Sequence, residues 1–169
     1  KASLIPLVED GADCARMQGL ALKNIEIKVR NQKKKVVFQE FGELLFTHFG
    51  LSGPLILSAS AHMRNFEKER YIVSVDLKPA LDEKKLDERI LRDFAENQNR
   101  EFANSLGALL PRLMIPVIVE RTGIASGKRV HDLTKGERRA LLETIKRFDI
   151  PIAGTRPVSE AIVTSGGIK

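Results

Sequence analysis

The sequence predicts an α+β protein of two subdomains: an irregular, mostly antiparallel, barrel-like β subdomain and a small four-helix bundle. Three observations predict it. Apolar residues fall near period two across residues 1–78. They switch to helical spacing across 79–149, and strand composition returns across 150–169. The return strands are expected to complete the β subdomain, so the helices form an excursion from it.

The first strand is the clearest. Leu20, Leu22, Ile25, Ile27 and Val29 lie near period two, with Lys23, Glu26, Lys28 and Arg30 between them. That is a half-buried strand. The polar run Asn31-Gln32-Lys33-Lys34-Lys35 leads to Val36-Val37-Phe38, which reads as a hairpin with a charged tip. A nucleic-acid patch is the sharper reading of the lysine triplet. Leu44-Leu45-Phe46 predicts a third strand and Tyr71 to Leu77 a fourth. Between them, Gly50-Leu51-Ser52-Gly53-Pro54 predicts a helix over about 54–63, with Ser52 as cap and Pro54 in the first turn.

After Pro79, Leu86, Ile90, Leu91 and Phe94 share a helical face. Phe102, Leu106, Leu109 and Leu110 predict a second helix that ends before Pro111. Residues 113–122 predict a short or kinked third helix, because Pro116 lacks an amide donor. Thr134-Lys135-Gly136-Glu137 matches a capping box and opens a fourth helix, which aligns Leu141, Leu142, Ile145 and Phe148. Residues 150–154 and 161–164 predict the return strands.

The chain has 169 residues, of which 43% are apolar and 30% charged, a composition that excludes disorder and a collagen-like fibre. No run of 18 apolar residues occurs, so no membrane helix is expected. One cysteine, Cys14, cannot form an internal disulfide and fits a reducing cytoplasm. The chain opens at Lys1 with no basic-then-apolar leader, and a piece of a longer protein is expected.

The net charge is +6 and unevenly spread. Residues 82–101 hold 7 acids and 5 bases, whereas 121–147 hold 8 bases and 3 acids. Lys128, Arg129, Lys135, Arg138 and Arg139 are therefore candidate RNA contacts, although a solvated helical face has the same pattern. No aromatic lies in that stretch before Phe148, which argues against a base-stacking platform.

Chemical motifs are few. Gly50 to Pro54 departs from a nucleophile elbow, since Pro54 fills the place of the second flanking glycine. With three histidines no hydrolase triad can be assembled. Ser52 and Gly53 are candidates for an anion or substrate at a helix start; a structural cap is the plainer reading. His48, in Phe46-Thr47-His48-Phe49, is either a hydrogen-bonded core histidine or a residue beside substrate. Gly123 to Lys128 is one residue too short for a phosphate loop, and no G-x-G-x-x-G occurs. No metal-ligand spacing is found, and no metal is expected.

Residues 42–54, GELLFTHFGLSGP, resemble the middle of the bacterial BaiN-like flavoproteins, a family of NAD(P)/FAD-dependent oxidoreductases. Ser3-Leu4-Ile5-Pro6-Leu7 is similar to the chain leaving that family's FAD domain. Gly154-Thr155-Arg156-Pro157 and residues 160–168 are similar to the chain re-entering it. The resemblance implies that this chain is an insert on the substrate side of the flavin, with the FAD-binding domain of its own full-length chain as partner. It implies that FAD, reduced by NAD(P)H, is held by the full-length protein and not by these residues alone. The isolated chain is then inactive. Candidate residues near the flavin edge are Thr164, Gly166 and Gly167, on the returning strand, with His48 as a catalytic candidate. Unsaturated steroid-like acids and a uracil-type base in ribosomal RNA are the substrates associated with the family. A free-standing RNA-binding module and a structural interaction domain are the competing readings.

Overall fold

The computed structural model describes residues 4–156. They form two compact units, 4–77 with 149–156, and 78–148.

The first unit is a closed barrel in the order β1-β4-β3-β2-β5-β6. Its strands are β1 (Leu7–Glu9), β2 (Ala21–Arg30), β3 (Val36–Phe46), β4 (Gly50–Ser52), β5 (Tyr71–Asp76) and β6 (Phe148–Thr155). The pairs β1/β4, β1/β6, β2/β3, β2/β5 and β3/β4 are antiparallel. Closure leaves no sheet edge to protect.

Period two in β2 survives a register shift between Leu22 and Ile25. Asn24 there has φ 59, and the extra residue returns Ile25, Ile27 and Val29 to the interior. Ile27 and Val29 lie opposite Val75 and Val73 of β5, and Leu22 lies opposite Leu44 of β3, all buried. Burying each such side chain contributes about 1.5–3 kcal/mol.

Several local expectations are corrected. The apolar runs at 36–38 and 44–46 belong to one strand of 11 residues, β3, because Gln39 to Gly42 continue the ladder opposite β2. Short elements that the periodicity did not reveal are β1, β4 and α1 (Asp13–Arg16). The predicted helix at 54–63 is α2 (Pro54–Ser60), with Leu55, Ile56 and Ala59 buried. Ser52 is not its cap. Gly53 holds that position at φ 95, no side chain caps the helix, and Ser52 belongs to β4.

The second unit contains α3 (Glu83–Glu96), α4 (Ile115–Thr122) and α5 (Lys135–Lys146). The expected four-helix bundle is thus three α-helices, joined by single 3-10 turns at 102–104, 112–114 and 130–132, among the described residues. The predicted second helix is absent as such. Phe102, Leu106, Leu109 and Leu110 are all buried, yet reach the core from a 3-10 turn and the loop after it. Leu91, expected on the buried face of α3, is 44% exposed. Pro116 does not kink α4, because it falls in the first turn, where no amide donor is required. Thr134 and Glu137 form the expected capping box, each side chain bonded to the other's backbone N–H at 2.9–3.0 Å.

Candidate functional site

The described parts of the three segments that carry the family resemblance are far apart in sequence and adjacent in the barrel. Strand β1 lies between β4 and β6, with Leu7 opposite Leu51 on one side and Thr155 on the other. Val8 is likewise flanked by Gly50 and Gly154. Arg156 N–H donates to Pro6 O at 3.1 Å, extending the pairing past the strand ends.

The turn from β3 into β4 is tightly bonded. Thr47 N–H donates to Gly50 O at 2.9 Å, and Gly50 N–H donates to Thr47 Oγ1 at 3.0 Å. Glu9 N–H donates to Phe49 O at 2.9 Å, joining the turn to β1. At the tip His48 is exposed, which corrects the core-histidine reading. Its ring meets the Phe49 ring edge-on at 5.2 Å. The Arg156 guanidinium lies 4.3 Å from the centre of the Phe49 ring. Imidazole, phenyl and guanidinium from two of the resembling segments therefore form one rim cluster. The Arg156–Phe49 contact is a cation–π stack.

The glycines of this segment have a structural reason. A Cβ on Gly50 would fall 2.2 Å from Leu7 O and 2.7 Å from Glu9 N, so only glycine lets β4 approach β1. Gly53 combines φ 95 with a Cβ position 3.0 Å from Leu45 N. Backbone packing accounts for both, without a ligand. Thr164, Gly166 and Gly167 lie outside the described residues.

In the helical unit the five candidate cations do not form one free patch. Lys128 Nζ bonds both carboxylate oxygens of Glu137, at 2.9 and 3.0 Å. Arg138 Nε bonds Asp87 at 2.8 Å. Arg139 bonds Glu83 and Glu143, each at 3.0 Å. Arg129 donates to Asn99 O at 2.9 Å. Lys135 is exposed at the start of α5. The Glu137 carboxyl is held below the usual range, first by the Thr134 backbone N–H and then by Lys128. A cavity of about 530 Å³ in this unit is lined by Arg121, Arg139, Lys146 and Arg147 and also by Glu83 and Glu143.

No group of three or more metal-ligating side chains occurs among the described residues. No helix among them is long and apolar enough to cross a membrane.

Residues 1–163 match the family described as the HI0933-like protein barrel and H2TH domain. Two curated relatives carry the name ribosomal RNA dihydrouridine synthase. The protein from Escherichia coli K12 is 30% identical over 132 residues, which is 78% of this chain and 30% of that protein. The protein from Haemophilus influenzae is 27% identical over 128 residues, 76% of this chain and 30% of that protein. The chain thus spans under a third of either relative's length. Neither name specifies the BaiN-like proteins that the sequence resembles, so the resemblance holds at the coarser level of the family. On the match across nearly its whole length, the chain belongs to the HI0933-like barrel and H2TH domain family.

Proposed function

We propose that this chain is the substrate-side domain of a cytoplasmic, FAD-dependent oxidoreductase that makes dihydrouridine in ribosomal RNA. The observation that carries the reading is the similarity, over 132 residues, to a ribosomal RNA dihydrouridine synthase. The activity is reductive: a hydride and a proton add across the 5,6 double bond of a uracil ring. FAD is the hydride source in this reading, with NAD(P)H as its donor.

The described residues do not themselves fit a dinucleotide. Such a site needs a parallel strand–glycine loop–helix unit. Here the five strand pairs given above are antiparallel, and no G-x-G-x-x-G is present. FAD therefore belongs to the rest of the full-length protein, and the chain's role is to receive RNA. The rim of His48, Phe49 and Arg156 is the edge that meets the target nucleotide. Phe49 carries Arg156 stacked on its ring, Arg156 offers a phosphate or carbonyl contact, and His48 offers an exposed imidazole for proton transfer or orientation.

The test uses cells that lack the full-length gene. Ribosomal RNA nucleosides would be measured by mass spectrometry, with and without the gene restored. Loss and recovery of dihydrouridine is expected; an unchanged level would refute the reading. Purified full-length protein should show flavin absorbance, and the 169-residue chain alone should be colourless.

A further inference from the structure

We propose that the hairpin end of the barrel is a docking surface for the phosphate backbone of ribosomal RNA. The proposal rests on the reading of the parent protein as an RNA-modifying enzyme.

The β2–β3 tip carries Lys33, Lys34 and Lys35, all exposed. It is a hydrogen-bonded turn. Asn31 Oδ1 accepts from Lys33 N at 2.9 Å and from Lys35 N at 3.0 Å, and Lys34 N donates to Asn31 O at 2.8 Å. The loop before β5 joins the tip where Arg70 N donates to Gln32 Oε1 at 3.0 Å. This loop adds exposed Arg64, Lys68 and Arg70. The two segments, 33–35 and 64–70, hold six cations against Glu67 and Glu69. None of the six is in an ion pair among the described residues.

The surface suits a polynucleotide better than a bilayer. The lysines sit on a tight turn, with Lys34 at φ 66, and not along one face of a helix. A narrow cationic tip fits the groove of a polyanion, whereas an amphipathic helix at a membrane surface presents one cationic and one apolar face. Exposed His62 and half-buried Phe66 fall in the same stretch of chain as Arg64, Lys68 and Arg70, with His62 5.1 Å from Phe38 and Phe66 5.3 Å from the buried Tyr71. Cations interleaved with rings are the composition of RNA-binding faces. The bonded backbone also means that little of the tip must be ordered on binding.

The experiment is filter binding of deproteinised ribosomal RNA to the full-length protein, from about 50 to about 200 mM salt. Two variants are compared with the native protein: Lys33→Gln/Lys34→Gln/Lys35→Gln, and Lys68→Gln/Arg70→Gln. Lys84→Gln/Lys85→Gln on α3 is the control. Each lost phosphate contact lowers the logarithmic salt slope by roughly 0.7–0.9, so the triple variant should lose about 2. Its affinity at the lowest salt should fall on the order of tenfold, with the melting temperature unchanged. The control should bind as the native protein does.

Native affinity and slope in both variants would overturn the proposal, as would binding to equimolar phosphatidylglycerol–phosphatidylcholine vesicles that RNA does not displace. Failure of the wider reading looks different. Dihydrouridine would then persist in cells without the gene, while the binding assay still decides the surface. Loss of dihydrouridine with native binding by both variants would reject the surface alone.

Discussion

Between Arg121 and Arg147 the helical unit carries 8 cations and 3 acids. The hairpin end of the barrel carries 6 cations and 2 acids in two shorter segments. By net charge, 8 less 3 giving +5 against 6 less 2 giving +4, the first is the larger basic stretch. In space the order reverses. Acids of the 82–101 stretch return to the basic helix, Asp87 to Arg138 and Glu83 to Arg139, while Glu137 of that helix takes Lys128. The acidic and basic stretches thus partly neutralise each other. Among the described residues, the lysines of the hairpin tip form no ion pair with an acid. Counting charge along a chain measures supply, and pairing across the fold decides how much stays free to meet phosphate.

The comparison can be tested, starting with the backbone that holds each region. Gly50→Ala would drive a methyl group into Leu7 O and Glu9 N, backbone atoms that cannot yield without opening the barrel. A loss above about 3 kcal/mol is expected. Amide exchange should show the strands β2 to β5 deprotected while α3 and α5 retain protection. Uniform deprotection of both units would show that they fold as one, and that the two regions cannot be treated separately.

Removing charge should then separate the regions. Arg138→Gln leaves the half-buried Asp87 without its partner and should cost about 1 kcal/mol in thermal unfolding. Neutralising Lys33, Lys34 and Lys35 together should change stability by less than about 0.5 kcal/mol, since no folded contact is lost. Equal effects would contradict the division into paired and free charge.

Thr134→Ala removes the side-chain half of the capping box and should cost about 1 kcal/mol. The same site predicts an acid response. The folded Glu137 carboxyl titrates below its ordinary value of 4.5, so its contribution is complete above that value and is lost as pH falls through the lower, folded one. Glu137→Gln should flatten the acid limb of the stability profile; an unaltered limb would remove this carboxyl from the account.

The smallest effects on stability fall at the rim. Ser52→Ala should be within about 0.5 kcal/mol of native, because Ser52 caps nothing. His48→Ala should melt like the native protein, its ring being exposed. On the proposed reading, the same change in the full-length protein should slow dihydrouridine formation. Native turnover in this variant would withdraw His48 from the reaction.

Much of the architecture was legible in the sequence because its causes are local. Period two in β2 and β5, helical spacing in α3 and α5 and the Thr134–Glu137 box each depend on neighbours within a few residues. The Gly50 to Pro54 segment was recognisable as special, but its reason was not. Leu7 and Glu9, about forty residues earlier, set the need for glycine, and only barrel closure brings them there. Three-residue strands such as β1 and β4 are too short to show a period, so pairing alone defines them. For the same reason the meeting of Phe49 with Arg156, and of the hairpin tip with Arg70, could not be read from spacing. Sequence determined which residues were charged, apolar or able to turn. Tertiary structure decided which charges were cancelled, because an ion pair depends on distance in space and that distance is set by the packing of the core.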